Sequence, residues 1–429
     1  FFQIVMRTIW KSKKYSCDLK ALFFLGTFFQ TCEYLCYLCF MTLKENKVFV
    51  AIPILDEYDY FPKTLNCVLE QNADVHVFVC VNQPDEWWNL PQFLPICQNN
   101  QKVLDFLKNI ENKNVTIIDK SSRGYGWSDQ KQGVGMARKT LFDNIIQIAD
   151  NEDIIISLDA DTLLEKGYIE EVKNRLSDTQ MMAVSAPFYH HLSGNERQDR
   201  AMLRYEIYMR AYFINLMQIC SPYSFSALGS AIACKVSACR AVGGFDGQMA
   251  GEDFYFLQKI RKFGKIALSC NRKVFPANRC SNRVPFGTGP AIAKGINGDF
   301  SAYPIYDITF FDEIKNTYST INQLFKKDVE TPFFVFLQRQ FKSKDFLQPL
   351  RKNYKTKERF VKAFHQKVDA LRIFQFLRYC QQQHPVKDEI ALQNLLARVF
   401  PNDVNCFFSA NEFLSLEHSP IMILNQLKQ

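Results

Sequence analysis

An α/β fold is predicted for this chain: a Rossmann-like, mostly parallel sheet with flanking helices, followed by a C-terminal all-α extension. Three observations carry the expectation. From Lys47 onward, short β-branched apolar runs alternate with segments of helical spacing. Ile154, Ile155, Ile156 and Leu158 are apolar without alternation, as in a strand covered on both faces. Beyond about residue 300 the strand signals give way to Phe-rich amphipathic segments.

Taken in order, VFVAIPIL at 48–55 reads as a buried strand, FPKTLNCVLEQ at 61–71 as a helix and VHVFVCV at 75–81 as a second strand. NVTIID at 114–119 predicts a third strand, and helical spacing runs from Gly133 to Ala149. The strand DIIISLDAD at 153–161 belongs in the middle of the sheet, and MMAVSAPF at 181–188 reads as the next. Residues 197–220 predict a helix of mixed character. After the turn glycines of 243–251 a further helix is expected, with Phe254, Leu257, Ile260 and Phe263 as its apolar stripe. The Pro/Gly-rich stretch RVPFGTGP at 283–290 precedes the change of character, so the expected organisation is residues 1–46, a domain over 47–299 and a helical region over 300–429.

With 429 residues, 47% of them hydrophobic and 22% charged, the chain has ample apolar surface for a large core, which excludes intrinsic disorder. The net charge of +8 is unevenly spread. Residues 47–299 hold 28 basic and 28 acidic side chains, whereas 342–378 hold 11 basic and three acidic ones. A neutral middle argues against a nucleic-acid partner; the 342–378 patch predicts peripheral contact with an anionic membrane surface. The 14 cysteines lack paired spacing and read as reduced thiols; Cys36 and Cys39 form a C-x-x-C with no second pair to complete a zinc site.

Residues 21–43 form an apolar run close to the roughly 20 residues of a membrane span, preceded by Lys11, Lys13, Lys14 and Lys20. Two readings are open: a signal anchor, or translated sequence ahead of a start at Met41. Gln30 and Glu33 in mid-run favour the second. No later run reaches transmembrane length, and the expected location is cytoplasmic, peripheral at the inner face of the cell membrane.

Asp159 and Asp161 leave a buried strand at the carboxyl edge of the sheet, where open α/β folds bind ligands. Two carboxylates one residue apart suit a hard cation, Mg2+ or Mn2+, that bridges phosphates. The ordinary alternative is a turn residue and a helix cap. Leu163 and Leu164 rule out a calcium loop. Glu252 and Asp253 open a helix, where an acid is stabilised by the macrodipole and normally has a low pKa; the functional alternative is a general base. His190 and His191 are either metal ligands or ordinary surface or pocket residues, and Arg279 and Arg283 either face phosphate or are solvated.

IPILDE at 52–57, LDAD at 158–161, AVGGFDGQMAGED at 241–253 and the spacing of about 90 residues between the acid pairs resemble the family 2 glycosyltransferases, which have the GT-A fold. The similarity spans roughly residues 47–290. It implies a nucleotide-diphosphate sugar as donor, UDP- in preference to GDP-linked, bordered by Pro53, Asp56 and Glu57. Asp159 and Asp161 match the D-x-D of metal and diphosphate, and Asp253, beside Glu252, matches the catalytic base. Arg138 lies in a segment (133–138) like the family's glycine-containing helix start, and Gly229-Ser230 is similar to the small-residue floor of the sugar and acceptor pocket. Asn82 stands where the family usually has an Asp that contacts the base, and an amide both donates and accepts, so the base is open. The processive Q-x-x-R-W signature is missing.

The resemblance thus implies an inverting, metal-dependent hexosyl transfer to a glycan or lipid-linked acceptor, in bacterial polysaccharide biosynthesis. Two other classes stand beside it. A non-catalytic membrane-associated scaffold has no need of four retained acids. A sugar nucleotidyltransferase should carry a glycine-rich loop after the first strand, whereas ILDEYDYF contains no glycine.

Overall fold

The computed structural model describes residues 46–399, except 72–73, 111, 129–132, 248–250, 269–270 and 281–286. The apolar run at 21–43, the Cys36–Cys39 pair and Arg283 lie outside the described residues.

Seven strands form the main sheet: β1 (Val48–Ile54), β2 (Val75–Asn82), β3 (Val115–Lys120), β4 (Ile154–Ser157), β6 (Met181–Ser185), β7 (Ile232–Lys235) and β8 (Lys265–Leu268). Their order is β3-β2-β1-β4-β7-β6-β8, and β7 alone runs against its neighbours β4 and β6. The expected mostly parallel sheet is therefore the observed one. β4 is central, and β1 beside it pairs Val48 with Ile154 on that side and with Val75 on the other.

Alternation of side chains along β1 divides the core in two. Val48, Val50, Ile52 and Ile54 face one cluster, filled by Phe61 and Leu65 of α1 (Phe61–Leu69), Val103 and Leu104 of α2 (Leu94–Ile110) and Ile169 of α4 (Tyr168–Leu176). Phe49 and Ala51 face the other, with Leu141, Phe142 and Ile145 of α3 (Val134–Ile148). The second cluster continues without a break into the C-terminal helices. Phe311 of α9 (Ile308–Ser319), Phe333 and Phe334 of α11 (Pro332–Gln340), Phe364 of α13 (Lys357–Lys367) and Phe376 of α14 (Ala370–Gln383) all belong to it. Over the described residues, to 399, the expected helical region is thus present, seated on one face of the sheet by its phenylalanines. The last described helix, α15 (Asp388–Val399), packs Leu392, Leu395 and Leu396 against Ile207, Ala211 and Ile214 of α5 (Glu196–Gln218), where Asp388 pairs with Arg204. No helix of the described residues is long and apolar enough to cross a membrane.

Two local expectations differ from the fold. In α7 (Glu252–Phe263) the buried stripe is Phe256, Leu257 and Ile260, while Phe254 is half-buried and Phe263 is exposed. A repeat of three residues drifts off one face of a helix that turns every 3.6, so the i, i+1, i+4 set wins. After Asp161 the chain forms no helix: β5 (Thr162–Leu164) pairs antiparallel with β9 (Val274–Pro276), so Asp161 is no helix cap.

Candidate active site

At the carboxyl end of β4 the backbone N–H of Thr162 donates to the carbonyl of Asp159 (3.1 Å), a turn that leaves Asp159 and Asp161 beside one cavity. Each acid meets an arginine. The guanidinium of Arg138, on α3, is buried and reaches Asp159 with one terminal nitrogen and Glu252 with the other, while its Nε donates to the Ser157 hydroxyl (3.2 Å). A Cβ on Gly229 would collide with that guanidinium, so the small residue at 229 is required by the buried arginine. Arg279, just beyond β9, donates to Asp161 (2.6 Å) and to Glu57, and lies over the Tyr60 ring at 5.3 Å. Burial alone would lower the pKa of both arginines, yet the facing carboxylates, Asp159 and Glu252 for Arg138 and Asp161 and Glu57 for Arg279, hold them above the ordinary value. Arg279 is therefore a site residue and not a solvated one.

α7 starts after Gly251, whose φ of +74° is left-handed and favours glycine. Its first turn carries Glu252 and Asp253. Glu252 is buried against Arg138, whereas Asp253 is half-buried, lines the cavity and accepts from the backbone N–H of Phe254 (2.7 Å). Desolvation pushes the Asp253 carboxyl up to about 7, helped by the charges of Glu252 and Asp159 and opposed by Arg138 and the Phe254 N–H. The low pKa expected at a helix N-terminus is thus corrected: removal from water outweighs the macrodipole here. A carboxyl that titrates near neutrality suits proton abstraction.

The cavity has a volume of about 870 Å3. It brings together Pro53, Glu57, Asn82, Arg138, Asp159, Asp161, Gly229, Ser230, Glu252 and Asp253. Asp56 does not line it; held at a φ of +58°, its N–H donates to the Asn100 side chain (2.9 Å). Asn82 uses its amide within the protein, donating to the Ile54 carbonyl (2.7 Å) and accepting from the Trp127 indole (3.2 Å). His190 is a pocket residue with Nδ1 on Glu206 (2.7 Å), and His191 stacks on Phe275.

Among the described residues no three His, Cys, Asp or Glu side chains converge to hold a metal. The two carboxylates nevertheless fit Mg2+ or Mn2+, which bind through one or two protein oxygens plus phosphate and water. Each acid gives one oxygen to its arginine, Asp159 Oδ1 to Arg138 and Asp161 Oδ2 to Arg279.

One part of the cavity goes beyond the sequence reading. Tyr205, Tyr208 and Tyr212 of α5, together with Tyr303 and with Phe374 of α14, also line it. The spacing of the first three, i, i+3 and i+7 in YEIYMRAY, is a helix-face signal; nothing local announces the approach of α14.

No known protein family matches the chain, and no curated protein matches it. Among solved structures it is similar to S. aureus TarS 1–349 in complex with UDP-GlcNAc, with a TM-score of 0.40 and 12% identity over 87% of this chain and 91% of that one. It is also similar to the mannosyltransferase PcManGT from Pyrobaculum calidifontis in complex with GDP-Man and Mn2+, with a TM-score of 0.38 and 13% identity over 90% and 87%. At that degree of likeness the function rests on this chain's own residues.

Proposed function

We propose that the chain is an inverting GT-A glycosyltransferase of the family 2 type, moving a sugar from a nucleotide-diphosphate sugar, UDP-linked in the first instance, to an acceptor hydroxyl. The observation that carries this reading is the meeting in one cavity of the strand-end acids Asp159 and Asp161 with a helix-end acid, Asp253, whose carboxyl titrates near neutrality. Asp253 takes the proton of the acceptor hydroxyl as its oxygen bonds to the anomeric carbon. The bond from that carbon to the diphosphate breaks on the opposite face, the electron pair leaves with the nucleoside diphosphate, and the proton stays on Asp253. Glu252, clamped by Arg138, keeps the base at its station; Arg138 and Arg279 bring positive charge next to Asp159 and Asp161. A Mg2+ or Mn2+ held by Asp159 and Asp161 would neutralise charge on the departing diphosphate.

A panel of UDP- and GDP-sugars with Mn2+ tests the reading: nucleoside diphosphate release is expected. No turnover from any sugar favours a scaffold, and diphosphate release from a nucleoside triphosphate favours a nucleotidyltransferase. Asp161→Ala should abolish metal-stimulated turnover; unchanged metal dependence counts against the metal site. A second reading concerns location. Lys342, Lys344, Lys352, Lys355, Lys357 and Lys362 are all exposed on the helical region, which supports contact with an anionic membrane surface at the cytoplasmic face.

A further inference from the structure

We propose that the tyrosine-lined part of the cavity is a binding site for a carbohydrate acceptor, which selects the glycan over the lipid-linked alternative; this rests on the glycosyltransferase reading. α5 turns Tyr205, Tyr208 and Tyr212 toward one side. Tyr303 meets Tyr205 edge-on with ring centroids 5.2 Å apart and Tyr208 at 5.7 Å, and Phe374 meets Tyr212 at 6.4 Å. The wall shares its cavity with Asp253, so a ligand lying on it has a hydroxyl within the base's cavity.

The chemistry of the wall decides the ligand class. Flat rings take up the apolar C–H faces of a sugar, and the Tyr208 hydroxyl, with Gln375 and Arg378 at the same wall, meets its hydroxyls. An alkyl chain offers no partner to the Tyr208 hydroxyl or the Arg378 guanidinium, the polar groups this wall keeps beside the Tyr205 and Tyr303 hydroxyls that Thr288 and Gly287 already engage.

Saturation-transfer NMR on the full chain, with short neutral hexose and N-acetylhexosamine oligomers and with decyl phosphate as competing probes, tests the assignment. At least one oligomer series should receive saturation. Phe374→Leu should raise its Kd about tenfold and Tyr208→Phe less, each from a loss of stacking or of one hydroxyl. Thermal melts identify any variant that fails to fold, and the other variant then decides. Binding of decyl phosphate alone, binding of no oligomer, or oligomer affinity unchanged in the folded variants overturns the proposal. If nucleotide sugars turn over but no oligomer binds, this inference falls and the activity stands; if oligomers bind without turnover of any nucleotide sugar, the activity falls and the carbohydrate site stands.

Discussion

In one part of the cavity wall five carboxylates, Glu57, Asp159, Asp161, Glu252 and Asp253, meet two arginines; in another, tyrosines of α5 stand against Tyr303 and Phe374. The charged part is assembled from strand ends and helix starts, each a short motif, and is held by ion pairs that are costly to break once water is excluded. The aromatic part is a helix face completed by a helix from the C-terminal region, held by ring packing. Its residues tolerate change more readily, since each contact is worth less. Reaction chemistry and ligand selection thus fall on parts of the wall with different energetics.

Changes in the charged part should have the larger effects. Asp253→Asn should lower turnover by about 10²–10⁴ with nucleotide binding retained, read by donor turnover and calorimetry; normal transfer removes Asp253 from the role of base. Arg138→Met leaves Glu252 buried and unpaired, so it should destabilise the fold by roughly 3–5 kcal/mol in chemical denaturation. A loss no larger than that of an exposed-residue control would mean that the clamp contributes little. Gly229→Ala, which pushes on the same guanidinium, should cost about 1–3 kcal/mol and impair turnover.

Acidity separates stability from activity in this part. The Asp253 carboxyl is raised in the fold from an ordinary 3.8 to about 7, so the native state binds more protons than the unfolded chain between those values. Its contribution to stability is full below the lower value and is lost as pH rises through the higher one, while the base form, and hence turnover, grows over the same interval. Denaturation midpoints and rates measured across that interval should move in opposite directions in the parent, and the Asp253→Asn variant should lose its share of both trends. The smallest effect concerns the exposed lysines: binding to anionic vesicles should weaken as salt rises, and salt-independent binding would remove the electrostatic contact.

Much of the charged part is legible in the residue order. Asp159 and Asp161 follow an isoleucine-rich buried strand, and Glu252 and Asp253 follow a turn glycine, so strand end and helix start announce themselves locally. The roles of the arginines do not. Arg279 reads equally well as a solvated residue, because its partners Glu57 and Asp161 lie 222 and 118 residues away in the chain. The raised pKa of Asp253 is invisible for the same reason, since the macrodipole is a property of the helix alone and desolvation a property of what surrounds it.

The sequence by itself determined the layered α/β architecture and the edge of the sheet at which the acids emerge, since periods of two and of 3.6 residues say which faces seek burial. It determined also that the described residues beyond 300 form helices with phenylalanine stripes. Only the tertiary structure decided that Arg138 spans Asp159 and Glu252, and that α14 brings Phe374 to the tyrosines of α5. Apolar pattern specifies that a face is covered and not by what; the pairing of buried charges and the closing of the cavity depend on which distant elements share its walls.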